Sequence, residues 1–171
     1  QGQQARLNTL PVHYADYASW QRQWLAQGES TRQLAYWKAL LGDAQPVLDL
    51  PTDHPRSVQQ RNSATRLSLR LEPALGTALR QVAQAHDASL FMLLLAAWQT
   101  LLHRYSGQRD IRVGVPNANR PRLETQGLVG FFINSQVLRA QLHGRLPFEQ
   151  LLAQGFDERE RLRVMALDAE L

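Results

Sequence analysis

Three polar side chains in this sequence sit where plain packing calls for something else, and each has chemistry to offer. Asn134 interrupts GLVGFFINSQVLR (residues 127–139), a stretch otherwise rich in Phe, Ile, Val and Leu, and Arg139 closes it. Asp16 is the single carboxylate in YADYASWQRQW, among four aromatic rings. An amide between buried neighbours must match both its donor and its acceptor, so Asn134 is expected to tie down an adjoining loop or to face a channel. In a regular strand Asn134 and Arg139 point to opposite faces, because their separation is odd, and only a bulge or twist brings both to one site. Gly127 and Gly130 permit a close approach just ahead of that strand. Asp16 has two readings. It accepts free backbone amides in the first turn of a helix, where negative charge also suits the dipole, or it pairs with a distant arginine or lines a groove.

Other chemistries lack their residues. The histidines are His13, His54, His86, His103 and His143, and none stands at metal-ligand spacing from another. Asp53 adjoins His54, but sequence neighbours rarely converge on one ion and a zinc site needs three or four ligands. Structural or surface roles are expected for all five, with His86 and His103 near helix ends where an imidazole suits the dipole. The sequence contains no cysteine, which excludes disulfides, thiol catalysis and thiolate metal sites and fits a cytoplasmic chain. No serine lies in a nucleophile elbow, and GxGxxG, GxxxxGK[ST] and HExxH are absent. NANRPRLETQG (residues 117–127) is a polar loop after a strand end, a common place for binding groups, although turn chemistry explains it almost as well.

The 171 residues suffice for one good core, and 44% apolar content argues against disorder. The net charge of +4 comes mostly from arginine, with Lys38 the only lysine. These charges are dispersed, and the densest group, FDERERLR, is mixed in sign, which argues against nucleic-acid binding. LFMLLLAAW is the longest apolar run, well short of the roughly 20 residues a spanning helix needs. No basic stretch leads into an apolar one at the start, so no signal peptide is expected.

The elements that must position these groups follow from period and punctuation. An aromatic helix is expected over residues 13–27, broken by Gly28, and a second from a cap at Ser30 or Thr31 to Gly42. Residues 45–63 carry three prolines and read as an ordered crossing segment, with Val47, Leu48 and Leu50 along a surface. TRLSLRL alternates as a half-buried strand. Pro73 starts a helix with Leu75, Leu79 and Val82 on one stripe. Ser89 caps another to about Tyr105, closed by Gly107 and central because its first half is apolar nearly all round. RDIRVGVP and GLVGFFINSQVLR give further strands. Three strands make a short α/β sheet that looks like part of a larger fold.

These features together resemble the condensation domain of nonribosomal peptide synthetases. HYADYASWQRQW is similar to that family's YxDYAxWQ motif, and LAYWKALLGDAQPVLDLPTDHPR and LFMLLLAAWQTLLHRYSGQRDIRVGVPNANR to the segments that follow. GLVGFFINSQVLR is similar to its GxFVNTxxxR motif. The resemblance covers roughly residues 7–152 and implies an incomplete two-lobed fold of the chloramphenicol-acetyltransferase kind, with a short mixed sheet and packed helices. It assigns residues 1–50 to the end of the first lobe, 51–64 to a crossing segment, 65–154 to the start of the second lobe, and leaves 155–171 as an atypical charged tail. It implies a parent activity in which an acceptor amine attacks a donor thioester, both held on phosphopantetheine arms of peptidyl carrier proteins, with no cofactor bound by the chain itself. Asp16 would then hold the aromatic helix, Asn134 lie near the tunnel between lobes, and Arg139 take the structural arginine role.

The chain departs from the family in lacking the HHxxxDG motif, whose second histidine assists the amine and whose aspartate partners the arginine. The resemblance therefore implies a fragment inactive alone, with Arg139 left without its carboxylate and an apolar patch exposed where the rest of the domain would pack. LPFEQLL is read as the ordinary helix after the strand rather than a displaced QDxPFE element. Two alternatives stand beside this reading: a non-enzymatic piece that docks to carrier proteins or to the missing lobe, and a fragment of a related epimerisation or cyclisation domain.

Overall fold

The structure is a computed structural model that describes residues 9–54, 65–120 and 122–154. Two of the expected segments fall outside these residues, namely 55–64 of the crossing segment and the charged tail at 155–171.

Helix α1, Tyr14–Trp24, is started by Asp16. His13 has extended backbone, and its N–H donates to Asp16 Oδ2 at 2.9 Å while its carbonyl accepts from the amides of Asp16 and Tyr17. Gly28 does not end the helical run but bends it. It sits in a π-helical turn, Leu25–Glu29, with φ of 113°, a conformation that costs a β-carbon dearly. Helix α2, Ser30–Leu41, follows directly. The expected Ser30 or Thr31 cap is therefore not formed, because the chain enters α2 already helical and few amides are left to cap. Glu29 takes up side chains instead, accepting from Arg32 Nε and Nη2 at 2.8 and 2.7 Å and from Gln33 Nε2 at 2.7 Å.

The early part of the crossing segment forms no helix or strand and is tethered by one amide. Gln108 Nε2 donates to Val47 O at 2.9 Å and its Oε1 accepts from Asp49 N at 3.0 Å. Leu48 and Leu50 pack on the core beside those contacts. Residues 65–71 correct the sequence reading: they form no strand, and Leu67 and Leu69 are 81% and 84% exposed. The alternation is real, but a strand exists only when a neighbouring strand completes its ladder, and none among the described residues does so.

Helix α3, Pro73–Ala85, begins at the expected proline, and α4, Leu90–Ser106, begins at Ser89, whose Oγ accepts from Met92 N at 3.3 Å. Gly107, at φ of 70°, closes α4 by donating to His103 O. The expectation that α4 is central holds for one face only. Met92, Leu93, Ala96, Gln99 and Leu102 are buried, whereas Phe91, Leu94, Trp98, Leu101 and Tyr105 lie exposed along the opposite stripe.

Among the described residues, strands β1, Asp110–Asn117, and β2, Asn134–Gln141, form a two-stranded sheet in place of the three strands expected. Leu142 N–H donates to Arg109 O at one end and Asn117 Nδ2 to Gln136 Oε1 toward the other, so the pair runs antiparallel. Residues 127–133 stay irregular, and the strand begins only at Asn134. Residues 148–154, which take in most of LPFEQLL, are helical as expected.

The described residues fall into two compact units, one from 9–45 and 114–137, the other from 46–113 and 138–154, and the division runs within both strands. The first holds a small core of Tyr17, Leu128 and Phe132 with Val12 and Trp20 against it. The second holds the larger core, built from α3, α4, Ile111, Ala140, Leu142 and the Leu151–Leu152 pair. Among the described residues no single helix is long and apolar enough to cross a membrane.

Candidate functional site

Arg139 is not left without a carboxylate. On β2 its Nε donates to Asp110 Oδ1 at 2.8 Å and its Nη2 to Oδ2 at 3.1 Å, a two-pronged pair with the first residue of β1. The antiparallel pairing of the two strands sets these side chains on one face. Arg112, two positions along β1, donates to the same Asp110 Oδ2 at 2.8 Å. Burial raises the Asp110 carboxyl, but hydrogen bonds and charge from Arg112 and Arg139 outweigh it and hold the group below the usual carboxylate range. An ionised, doubly bonded carboxylate of this kind orients a guanidinium; it has no free proton to give as an acid at neutral pH. Sequence reasoning missed Asp110 and Arg112, and the only signal was the polar DIR at the start of a strand.

Asn134 corrects a premise. It is exposed rather than buried, as are Ile133 and Ser135, and its Oδ1 accepts from Ser135 N at 2.8 Å. The apolar letters around it misled because Val129, Phe131 and Ile133 themselves face outward. Asp16 works in the first turn of α1, as described above. Asp16 and Asn134 belong to the first unit and Arg139 to the second, each with its own partners.

The segment ahead of Asn134 is anchored on α1. Tyr14 OH donates to Phe131 O at 2.9 Å. Phe132 is buried against the rings of Tyr14, edge-on at 5.2 Å, and Tyr17 at 4.8 Å. Gly130 makes room for the Tyr14 ring: a β-carbon there would lie 2.6 Å from Cε2 and closer still to Cδ2. Within the polar loop, Arg120 Nη1 donates to Leu128 O at 2.9 Å and to Thr125 O, with its guanidinium 3.9 Å from the centre of the Phe132 ring. The loop thus binds its own neighbour, the GLVGFF segment.

In the second unit a cavity of about 540 Å³ is lined by Thr100, His103, Arg104, His143, Leu146 and Phe148, among others, and by none of Asp16, Asn134 or Arg139. His103 Nδ1 donates to Gln108 O at 2.6 Å, a structural role of the kind expected at a helix end.

Comparison with known proteins adds the following. The model of the family described as Condensation domain matches residues 1–163. A linear gramicidin synthase polypeptide of Brevibacillus parabrevis is 46% identical over 164 residues, which are 96% of this chain and 3% of that protein. Malpinin synthetase of Mortierella alpina is 40% identical over 151 residues, 88% of this chain and 2% of that protein. Among solved structures, the condensation domain from the Monacolin K polyketide synthase MokA superposes with a TM-score of 0.73 at 27% identity, over 94% of this chain and 39% of that one. The X-domain from teicoplanin biosynthesis has the same fold, with a TM-score of 0.78 at 24% identity over 96% of this chain and 38% of that one. The chain therefore spans a few per cent of these curated relatives and under two-fifths of these solved chains.

Proposed function

Because the chain belongs to the condensation-domain family, we propose that it works as part of an amide-forming domain of a nonribosomal peptide synthetase. The observation that carries this is the family match along residues 1–163. In the reaction an acceptor amine attacks the carbonyl of a donor thioester. A C–N bond forms, the C–S bond breaks, the amine gives up a proton and the thiol leaves protonated. Both substrates ride on phosphopantetheine arms of carrier proteins, so the domain supplies a tunnel, orientation and help with the proton.

Residues 1–50 complete a first lobe in this reading, residues 51–64 cross over, and residues 65–154 open a second. Asn134 lies near the tunnel, Asp16 supports the aromatic helix and Arg139 is the structural arginine. The bidentate pair with Asp110 holds the Arg139 guanidinium in one fixed orientation. The 171 residues hold no adjacent pair of histidines, so the histidine motif that assists the amine comes from a complementary segment and the chain alone is inactive.

The test is a condensation assay with loaded donor and acceptor carrier proteins, run with the chain alone and with the complementary lobe added. Product only after addition is the expected result. Product from the chain alone would show that the acid–base group lies within these residues. No product in either arm, with a folded chain that binds carrier protein specifically, would turn the reading toward a docking piece.

A further inference from the structure

Arg120 lies outside the residues given a role above, yet it touches the segment that delivers Asn134 to β2 at three points. Nη1 reaches the carbonyls of Thr125 and Leu128, and the guanidinium plane covers the buried Phe132 ring. Thr125 and Leu128 are buried as well. A buried carbonyl needs a donor: Arg120 supplies one to Leu128 O and shares Thr125 O with the Leu128 N–H, which reaches it at 3.3 Å. The apolar burial of this core is supplied by Tyr17, Leu128, Phe132, Val12 and Trp20. What Arg120 adds is direction: it fixes which way two peptide planes and one ring point just before the strand starts. Lysine cannot reproduce the ring contact, because an ammonium has no plane to lay on Phe132.

We propose that Arg120 is a positioning residue, which sets residues 125–132 and through them the entry of Asn134 into β2. It acts on the site through that segment and touches no substrate. The inference rests on the reading of Asn134 as a tunnel-side residue.

Two measurements test it. The first is the backbone amide spectrum of the full 171-residue chain, compared with Arg120→Lys and Arg120→Ala. The expected result is that the amides of Leu128, Phe132, Asn134 and Ser135 move while those of α3 and α4 stay. Asn134 and Ser135 amides left unmoved, or an Arg120→Lys spectrum that loses dispersion throughout, would overturn the proposal, the second outcome making Arg120 a folding residue. The second is the assay with the complementary lobe added. Arg120→Lys is expected to lower kcat roughly 10- to 100-fold, the usual scale for small misplacements, with the acceptor KM held; an unchanged kcat would overturn it. Should the unmodified chain make no amide with its complement, the functional reading fails while the amide spectrum still decides the positioning role.

Discussion

Asp110 serves two guanidinium groups at once, and its ionised state is what both require. Its side chain is about a quarter exposed, so solvent screens the charges but the hydrogen bonds count. Asp110→Asn should cost about 1.5–3 kcal/mol in urea unfolding, the range for hydrogen bonds to charged groups. The depressed folded pKa makes this contribution fully present above the ordinary aspartate value of about 3.9. It is lost as pH falls toward the lower folded value, so the stability gap between the two proteins should close below about pH 4. Tyr17 predicts the opposite limb. Burial, then the neighbouring Tyr14, raises its phenol, while Arg120 and Arg122 pull it down less strongly. Stability tied to the neutral phenol is present below about pH 10 and lost as pH rises through the raised value. Alkaline unfolding monitored by circular dichroism should therefore be less steep in Tyr17→Phe. Arg139 was legible in the sequence as a cation in want of a partner. Asp110 was not, because the partner comes from strand register, which pairs residues 29 apart.

At the scale of elements, the helices were read nearly to their ends because their signals are local: Asp16, Pro73, Ser89 and Gly107 each act within a turn of themselves. Gly28 shows the limit, since a glycine announces a departure from helical backbone without saying whether the chain stops or bends. Strands depend on neighbours, and residues 65–71 kept a strand's pattern without a partner to make it one. The GLVGFF segment was misread as strand because Leu128 and Phe132 are buried by α1 and not by a sheet. Gly130→Ala tests this contact between elements. The added methyl meets the Tyr14 ring and should destabilise by roughly 1–3 kcal/mol, as overpacking does. Gly130→Ala/Tyr14→Ala should recover part of that loss in thermal unfolding, because the second change removes the ring that the methyl strikes.

At the scale of the whole molecule, the second unit has the more extensive core and the first a core of a few rings. Hydrogen exchange should therefore be slowest at Ala96, Gln99 and Leu102 in α4 and faster throughout α1. The same helix carries Phe91, Leu94, Trp98, Leu101 and Tyr105 in the open, spaced three and four apart as in a helix-packing seam. An exposed stripe of that kind should drive concentration-dependent association of the isolated chain, seen as a rising sedimentation coefficient that Trp98→Gln weakens. The Tyr14–Gly130 contact has a separate consequence, for the shuffling of synthetase genes. Ring and glycine occupy each other's space although Tyr14 and Phe131, which it also bonds, lie 117 residues apart in sequence. A crossover placed anywhere between them can unite a parent that needs the glycine with one that does not provide it. Chimeras should therefore inherit residues 14 and 130 from a single parent, and breakpoints that honour this should yield soluble hybrids more often than those that split the pair.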